Sequence, residues 1–343
     1  MRFNEIKNDV QLWEFMTEPS ENLIKCLFRI EGSIAVLGGS GKMGKELTAL
    51  IRRADELNDV KREITVASTF SNPEDLQLME KMGIKCLKGD LADESFLESL
   101  PDVPNLIYMM GLKFGSSNDH RKAFHFNSVV PYLVGKKYSD SRIVVFSSGN
   151  PYPFTSIDGG GCVETDVLSP NGIYGWSIIA RESSFRTTAM KNKNQKICFY
   201  RLMYAQHLLY GVLIDLARMI NNNETISLAM PAVNLISQRD ANEIAIRSLA
   251  ESTNQGLTLN VAGPVWRVKT IVEKLGALLN KKPKMLNNES EVALIANDKF
   301  CRDLFGEYRD IGDEMIEAAA YWVQNSGGSW GKPTYFGKVN RQY

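Results

Sequence analysis

From residue 33 onward, apolar positions along the chain follow two alternating patterns. Short apolar runs predict buried strands, and longer stretches with apolar residues three to four positions apart predict amphipathic helices. Strands are predicted at residues 33–37, 64–68, 84–87, 104–109, 142–147 and 196–202. Helices are predicted between them, at residues 43–56, 73–82, 93–99, 118–138 and 173–190. This alternation indicates βαβ units, and therefore an α/β fold with a Rossmann-type, doubly wound parallel sheet.

The two ends of the chain depart from this alternation. Residues 1–30 predict a short helical extension that serves packing, with apolar residues at Leu12, Phe15, Met16, Leu23, Ile24, Leu27 and Phe28. Beyond residue 203, helices are predicted at about 210–222, 239–253, 268–280 and 312–325, with short strands near 225–228, 233–236 and 257–261. We therefore divide the chain into an extension (1–30), a Rossmann domain (31–202), a smaller C-terminal region (203–325) and an ordered tail (326–343).

Composition narrows the function classes. The chain has 343 residues with 40 basic and 40 acidic side chains, so its formal charge of zero favours neither nucleic acid nor an anionic membrane surface as a partner. No apolar run is long enough to span a membrane, and the N-terminus lacks the apolar region of a signal peptide. Five scattered cysteines and three histidines argue for reduced thiols in the cytoplasm and against a metal site.

Residues 32–44 join the first predicted strand of the alternating region to its first helix, and they contain Gly38, Gly41 and Gly44 at three-residue spacing. Glycines let the backbone approach a pyrophosphate closely, and the N–H groups and dipole of a helix N-terminus favour its charge. Glycines also mark ordinary turns. Here the loop follows a buried strand and precedes an amphipathic helix, which is the context of a dinucleotide site.

The segment after the second strand bears on the choice between NAD and NADP. Dinucleotide sites often place an acid there to bind the ribose 2′-hydroxyl, but residues 66–70 contain no carboxylate. Lys42 or Arg62 could instead face a 2′-phosphate, and Lys42 could equally be a solvated lysine in the first helical turn. The pattern therefore favours NADP slightly over NAD.

Asp90 and Leu91 follow the third predicted strand. At a strand's carboxyl end, Asp90 could accept a hydrogen bond from an adenine amino group while Leu91 packs on the ring. The alternative is a cap for the next helix, a role that fits Asp93 better.

The central region completes a recognisable set of motifs. Its matching residues are Ser147, Ser148, Glu164, Thr165, Asp166, Tyr174, Ser177 and Glu182. With the glycine loop and the Asp90–Leu91 pair, they occur in the order and spacing of the extended short-chain dehydrogenase/reductase superfamily. The chain resembles this superfamily, also known as the NAD-dependent epimerase/dehydratase family, over roughly residues 33–265.

The resemblance implies roles for individual residues. Ser148 would orient a substrate carbonyl or alcohol, Tyr174 would be the acid/base, and Asn127 would be a relay or structural polar group. The C-terminal region would mainly bind substrate. The cofactor, NAD or NADP, would contact Gly38, Ser40, Gly41, Lys42, Met43, Gly44, Ser68, Asp90, Leu91, Met110, Gly111 and Asn127.

One position departs from the family's Tyr-x-x-x-Lys pair, because Ile178 stands four residues after Tyr174. A lysine there would lie on the same helical face as the tyrosine and would stabilise its anionic form. A free tyrosine titrates near ~10, so without a cation it is a poor base at neutral pH. Isoleucine supplies neither charge nor donor.

Two cations could take the place of the lysine. Lys113, in the loop after the fourth strand, is expected near the nicotinamide end of the cofactor and is our first candidate for a catalytic role. It could also serve the cofactor phosphates or the substrate. Arg181 lies seven residues beyond Tyr174 on the same helical face, although a salt bridge near Glu182 or a surface position would equally explain it.

The substrate side is less distinctive. Tyr204 stands where nucleotide-sugar enzymes of the family have an asparagine, which argues against a nucleotide-sugar substrate. Trp266, Trp330 and Tyr335 are interpreted as packing aromatics. Residues 331–336 resemble the ending of a subgroup of uncharacterised bacterial members that lack the same lysine, and we expect the tail to fold back over the pocket.

These observations predict an NAD(P)-dependent oxidoreductase or epimerase with an atypical active site. Its substrate would be sugar-like or another small hydroxyl or carbonyl compound. The alternative is a catalytically silent dinucleotide-binding protein that acts as a redox sensor or scaffold. The resemblance also implies a homodimer through a four-helix interface formed by residues 118–138 and 173–190.

Overall fold

The computed structural model describes residues 1–286, 289–310, 312–332, 334–337 and 339. Pro333 and residues 338 and 340–343 of the predicted tail lie outside these described residues. The strands are β1 (Ile34–Leu37), β2 (Ile64–Ser68), β3 (Lys85–Lys88), β4 (Asn105–Tyr108), β5 (Arg142–Ser148), β6 (Thr155–Ser156), β7 (Lys196–Leu202), β8 (Tyr204–Gln206), β9 (Thr225–Ser227), β10 (Ala232–Ser237), β11 (Leu257–Val261), β12 (Val265–Arg267), β13 (Lys284–Leu286) and β14 (Val292–Ala293).

The helices alternate with the strands as far as β7 and then predominate. They are α1 (Asp9–Met16), α2 (Glu21–Phe28), α3 (Gly44–Leu57), α4 (Pro73–Lys81), α5 (Glu94–Ser99), α6 (His120–Phe124), α7 (Val130–Lys137), α8 (Ile173–Lys191), α9 (Val212–Asn221), α10 (Gln238–Glu251), α11 (Val268–Leu278), α12 (Lys299–Phe305) and α13 (Gly312–Gln324). No helix within the described residues is both long and apolar enough to cross a bilayer.

The predicted elements are confirmed to within two residues at each end. The strands β6, β8, β12, β13 and β14 and helix α12 were not predicted. The strands among them have only two or three residues, too few to show a period of two. The helix predicted at 118–138 is interrupted, because a π-helical turn (His125–Val129) separates α6 from α7.

Seven parallel strands form the central sheet, in the order β11-β7-β5-β4-β1-β2-β3. All four residues of β1 are buried, as expected for a strand covered on both faces. In β1, Ile34 pairs with Ile64 on one side and with Asn105 on the other. The strand order reverses between β1 and β4, and in such sheets ligands bind beyond the carboxyl ends at this point. The predicted Rossmann-type fold is therefore confirmed.

The sheet extends past the end of the predicted Rossmann segment at residue 202. Strand β11 pairs with β7, and Ala241 and Ala245 of α10 belong to the core on one face of the sheet. The opposite face is covered by a second core, to which α7 and α8 contribute Val134 and Phe185. The region assigned to substrate binding thus also supplies an edge strand and a covering helix.

The rest of the C-terminal region has a core of its own. It unites α9, α11 and α13 with the N-terminal extension, which contributes Phe15 and Met16. Helix α2 instead packs Leu23 and Leu27 against the central sheet. The extension therefore serves packing as predicted, although Phe28 is exposed.

Candidate active site

The loop between β1 and α3 has the backbone geometry of an anion cradle. Gly38 has a φ of +83°, and a Cβ there would lie 2.7 Å from the backbone nitrogen of Met110. A Cβ at Gly44 would lie 2.1 Å from the carbonyl oxygen of Gly39, so only glycine allows this close packing of helix on strand. At Gly41 a Cβ would make an ordinary van der Waals contact with the carbonyl oxygen of Gly38, 3.5 Å away.

Hydrogen bonding supports the same interpretation of the loop. Within the described residues, the backbone N–H groups of Lys42 and Met43 have no acceptor, and they lie at the N-terminus of α3. Amide groups in this position bind phosphates in many proteins. The loop therefore fits the diphosphate of a dinucleotide.

The glycine loop and the neighbouring strand ends carry Ser40, Ser68, Asp90 and Leu91, which were assigned to the cofactor from the sequence. The hydroxyl groups of Ser40 and Ser68 are 2.6 Å apart and hydrogen-bonded. Asp90 is exposed and accepts a hydrogen bond from the backbone nitrogen of Ala92 (2.9 Å), while Asp93 caps α5 as predicted. Leu91, expected to pack on the adenine ring, is instead buried in the hydrophobic core.

The two cations considered for a 2′-phosphate are used elsewhere. Arg62 is buried, pairs with Asp55 and donates to the carbonyl groups of Leu27, Ile30 and Gly32, so its predicted role at the ribose is wrong. Arg62 thereby links the end of α2, and the segment that follows it, to Asp55 of α3.

Lys42 points toward the aromatic wall of the neighbouring cavity. Its Nζ lies 3.8 Å from the centroid of the Tyr210 ring. Burial, together with the positive charge of Lys332, lowers the pKa of Lys42 to about 8, and Asp215 opposes this shift. Lys42 is therefore neither a solvated first-turn lysine nor directed at the strand end that carries Ser68.

A cavity of about 340 Å³ adjoins the glycine loop at the carboxyl ends of the strands. Residues from both halves of the chain line it: Gly38, Gly41, Lys42, Met43, Met109, Lys113, Phe146, Ser148, Gly149, Asn150, Tyr174, Leu202, Met203, Tyr204, Ala205, Tyr210, Gln238, Leu294 and Thr334. The structure thus brings the predicted catalytic residues Ser148, Tyr174 and Lys113 together in one wall of this cavity.

Tyr174 and Ser148 are hydrogen-bonded partners in this wall. The Ser148 hydroxyl also accepts hydrogen bonds from the backbone nitrogen (3.2 Å) and the side-chain nitrogen (2.9 Å) of Asn150. Burial raises the pKa of Tyr174, whereas the charge of Arg181 and the hydrogen bond from Ser148 oppose that rise. Ser148 is held at the end of β5, and Tyr174 lies in the first turn of α8.

Ile178, in the next turn of α8, is completely buried and offers no cation to Tyr174. The two alternative cations both lie nearby. The Nζ of Lys113 is 5.8 Å from the centroid of the Tyr174 ring. Arg181 is buried rather than at the surface, and it does not pair with Glu182.

Asn127 is placed by the π-helical turn and is fully buried. It accepts a hydrogen bond from the Leu112 backbone nitrogen (2.9 Å) and donates to the Leu112 carbonyl (2.8 Å) and the Ser177 hydroxyl (2.9 Å). Its oxygen also accepts from Arg181. With its side chain engaged by the protein in this way, Asn127 positions the β4–α6 loop, which corresponds to the structural role named for it.

Arg201 and Glu182 form a buried ion pair next to the cavity wall. This pair was not predicted from the sequence. Arg201 in β7 makes two hydrogen bonds to the Glu182 carboxylate, at 2.9 and 2.8 Å. The Ser147 hydroxyl donates to the same carboxylate (2.6 Å), and Arg201 also donates to the Tyr152 hydroxyl (2.7 Å). This network fixes the end of β5 against α8, and therefore the positions of Ser148 and Tyr174.

The C-terminal tail reaches the cavity, as expected. The backbone nitrogen and hydroxyl of Thr334 donate to Asp215, at 2.8 and 2.6 Å, and Thr334 lines the cavity. The ring of Tyr335 contacts that of Phe114, with centroids 5.7 Å apart. Sequence reasoning missed Tyr210, Asp215 and Thr334 because no local motif marks residues that approach a site from distant segments.

Comparisons with known proteins address the fold. No protein-family model matches the sequence, and no curated protein matches it either. Among solved structures, MoeE5 in complex with UDP-glucose and NAD is 16% identical, with a TM-score of 0.69, and the alignment covers 86% of this chain and 99% of that one. The dTDP-glucose 4,6-dehydratase of Bacillus anthracis in complex with NAD is 15% identical, with a TM-score of 0.71 and coverages of 86% and 97%.

A third similar structure is the UDP-Glc/GlcNAc 4-epimerase of Campylobacter jejuni, which is 17% identical with a TM-score of 0.68. That alignment covers 86% of this chain and all of the epimerase chain. The chain has the fold of these enzymes. The fold expected from the sequence resemblance is thus confirmed over 86% of this chain and nearly the whole length of the three solved structures.

Proposed function

We propose that this chain is a member of the NAD-dependent epimerase/dehydratase family that binds NAD and acts as an oxidoreductase or epimerase. The observation that supports this most strongly is the hydrogen-bonded Tyr174–Ser148 pair in a cavity that adjoins the glycine loop. The shared fold with structures that hold NAD supports the cofactor class. The slight preference for NADP rested on the absence of a carboxylate at residues 66–70 and on Lys42 and Arg62, and both of these cations have other partners.

The hydroxyl groups of Ser148 and Tyr174 have different roles in the proposed reaction. A bound nicotinamide dinucleotide would accept or donate the hydride. Ser148 accepts hydrogen bonds from Asn150, and it orients the substrate oxygen by turning its single O–H from Tyr174 to the substrate. Tyr174 takes the proton of a substrate alcohol, or returns it to a carbonyl, through its phenol oxygen.

The cavity favours a small substrate. Its volume of about 340 Å³ lies at the lower end of the range for small-molecule sites, roughly 300–1,000 Å³. Tyr204 occupies its lining where nucleotide-sugar enzymes of the family have an asparagine. We therefore propose a sugar, sugar acid or other small hydroxyl or carbonyl compound as substrate.

The alternative function is a silent dinucleotide-binding protein, which the buried Ile178 favours. Incubating the protein and NADH with a panel of sugars, sugar acids and ketones separates the two. Turnover that is lost in Tyr174→Phe, but retained in Tyr321→Phe on the distant α13, supports the enzyme. Tight cofactor binding without turnover of any compound supports the sensor or scaffold.

We also propose that two copies associate through residues 118–138 and 173–190. Large apolar side chains are exposed on these helices: Phe124, Val129, Trp176 and Met190. Sedimentation equilibrium of the unmodified protein should give twice the mass of one chain. The Val129→Asp variant should give the mass of a single chain. A monomer mass for the unmodified protein would contradict this interface.

A further inference from the structure

Four arginines of the described residues are buried, and three of them have a carboxylate partner. Arg62 pairs with Asp55, Arg201 with Glu182, and Arg239 with Asp310. Arg181 is equally buried but has no carboxylate within 4 Å among the described residues. Burying a charge is unfavourable unless it is paired, so this exception requires an explanation.

Arg181 occupies a socket formed entirely by neutral groups. It donates to the carbonyl oxygen of Phe146 (2.7 Å) and to the side-chain oxygen of Asn127 (2.5 Å), while its Nε has no hydrogen-bond partner. Gly111 makes room for the guanidinium, since a Cβ there would lie 2.0 Å from Nη2. The protein therefore holds a positive charge in a fixed place without neutralising it.

The guanidinium of Arg181 lies on the same face of α8 as Tyr174. Residues seven apart lie on the same face of a helix, and long side chains lean toward the helix N-terminus, so Arg181 leans toward the first turn of α8. Among the neighbours of Tyr174 that the structure describes are Ser148 from β5, Lys113 from the β4–α6 loop, Tyr210 from the segment before α9, and Arg181. None of these four side chains is a carboxylate.

We infer that Arg181 takes the place of the missing lysine by stabilising the anionic form of Tyr174. This inference rests on the proposed function, in which Tyr174 exchanges a proton with the substrate. The guanidinium acts through space and not by contact with the substrate, so Arg181 is a positioning residue for the charge of Tyr174. Asn127, Gly111 and the Phe146 carbonyl hold it.

The test measures the pKa of Tyr174 directly, without requiring turnover. The full chain is labelled with ζ-¹³C tyrosine, and the Tyr174 resonance is assigned by its loss in Tyr174→Phe. In Arg181→Met we expect the phenol form of Tyr174 to persist to a pH at least one unit higher than in the unmodified protein. Arg186→Met, which removes a charge from the same helix, is the matched control and should leave the resonance unchanged.

Lys113, the other cation near Tyr174, is tested in the same way. If Lys113→Met raises the pKa of Tyr174 and Arg181→Met does not, the inference is overturned. If Arg181→Met does not fold, Asn127→Asp replaces it, because a carboxylate beside the guanidinium cancels its charge. This variant should also raise the pKa of Tyr174, and an unchanged pKa would overturn the inference.

Kinetics separate this inference from the proposed function. With a substrate in hand, Arg181→Met should lose at least tenfold in kcat/KM at pH 7 and recover at higher pH, whereas Arg181→Lys should retain more activity. Turnover that depends on Tyr174 without any pKa shift in Arg181→Met would overturn the inference alone. A pKa shift without turnover of any compound would overturn the proposed function alone.

Discussion

The indole ring of Trp330 stacks on the imidazole ring of His207, with ring centroids 4.9 Å apart and an angle of 13° between the planes. His207 in turn shares a hydrogen bond of 2.9 Å with Glu46 of α3, the helix that begins at the glycine loop. Trp330 also contacts the ring of Tyr210 in the cavity wall. The tail is thereby attached both to the cavity and to the helix that begins at the glycine loop.

Loss of this stacking should destabilise the protein. Trp330→Ala removes two aromatic contacts, each worth about 0.5–1.5 kcal/mol beyond the area buried, so we expect the free energy of unfolding to fall by about 1–3 kcal/mol. Trp330→Phe should lose less because it keeps part of the stack. Guanidinium chloride denaturation measures both variants, and an unchanged midpoint for Trp330→Ala would show that the tail is not anchored here.

Truncation after Ser326 tests the tail as a whole. The shortened chain lacks both Trp330 and Thr334, so we expect lower thermal stability and weaker NAD binding than in the full chain. Retention of both properties would contradict the proposed contact between tail and cavity.

The buried pair of Arg201 and Glu182 should be among the most sensitive positions of the fold. Glu182→Gln leaves the Arg201 charge buried without a carboxylate, and breaking such pairs costs about 3–5 kcal/mol. The control is Glu5→Gln, which breaks an exposed pair with Arg2 and should change the free energy of unfolding far less. Chemical denaturation measures the free energy of unfolding of both variants. An equal decrease in the two variants would refute this account of the network.

Lys42 should make stability depend on pH. Its pKa is lowered from 10.5 to about 8 in the folded protein, so the unfolded chain binds more protons between these values and stability rises with pH across that window. Lys42→Met should therefore stabilise the ligand-free protein fully below about pH 8, and this gain should shrink as the pH approaches 10.5.

Denaturation midpoints of Lys42→Met and the unmodified protein at pH 7 and pH 10 measure this effect. Lys61→Met, at an exposed position, controls for the removal of a lysine charge. A stabilisation by Lys42→Met of the same size at both pH values would contradict the assigned cause.

The sequence was sufficient for the parallel sheet because its elements repeat over many residues. Both β1 and α8 lie where they were predicted. The same holds for Tyr174 and Ser148, which local spacing places at a helix start and a strand end.

Other features depend on contacts that no local pattern encodes. The role of Arg62 is decided by three carbonyl groups around the end of α2, and that of Lys42 by Tyr210, which is distant in sequence. Strand β8 is too short to show a period. Whether Arg181 lies at the surface or beside Tyr174 likewise depends on Gly111, which makes room for its guanidinium.

The glycine loop offers a pair of variants with different expected outcomes. Gly44→Ala places a Cβ 2.1 Å from a backbone carbonyl oxygen and should destabilise the fold. Gly41→Ala places its Cβ at an ordinary contact distance, 3.5 Å from the Gly38 carbonyl oxygen, so the fold should keep its stability while the methyl group obstructs the approach of a diphosphate. Thermal unfolding of both variants checks the first half of this prediction.

Calorimetric titration of NAD into the full chain and into Gly41→Ala tests the central claim most directly. We expect saturable binding of one NAD per unmodified chain, and at least tenfold weaker binding by a Gly41→Ala variant with an unchanged unfolding temperature. Absence of binding to the unmodified chain at millimolar NAD, or equal affinity in the two proteins, would contradict a diphosphate site at this loop.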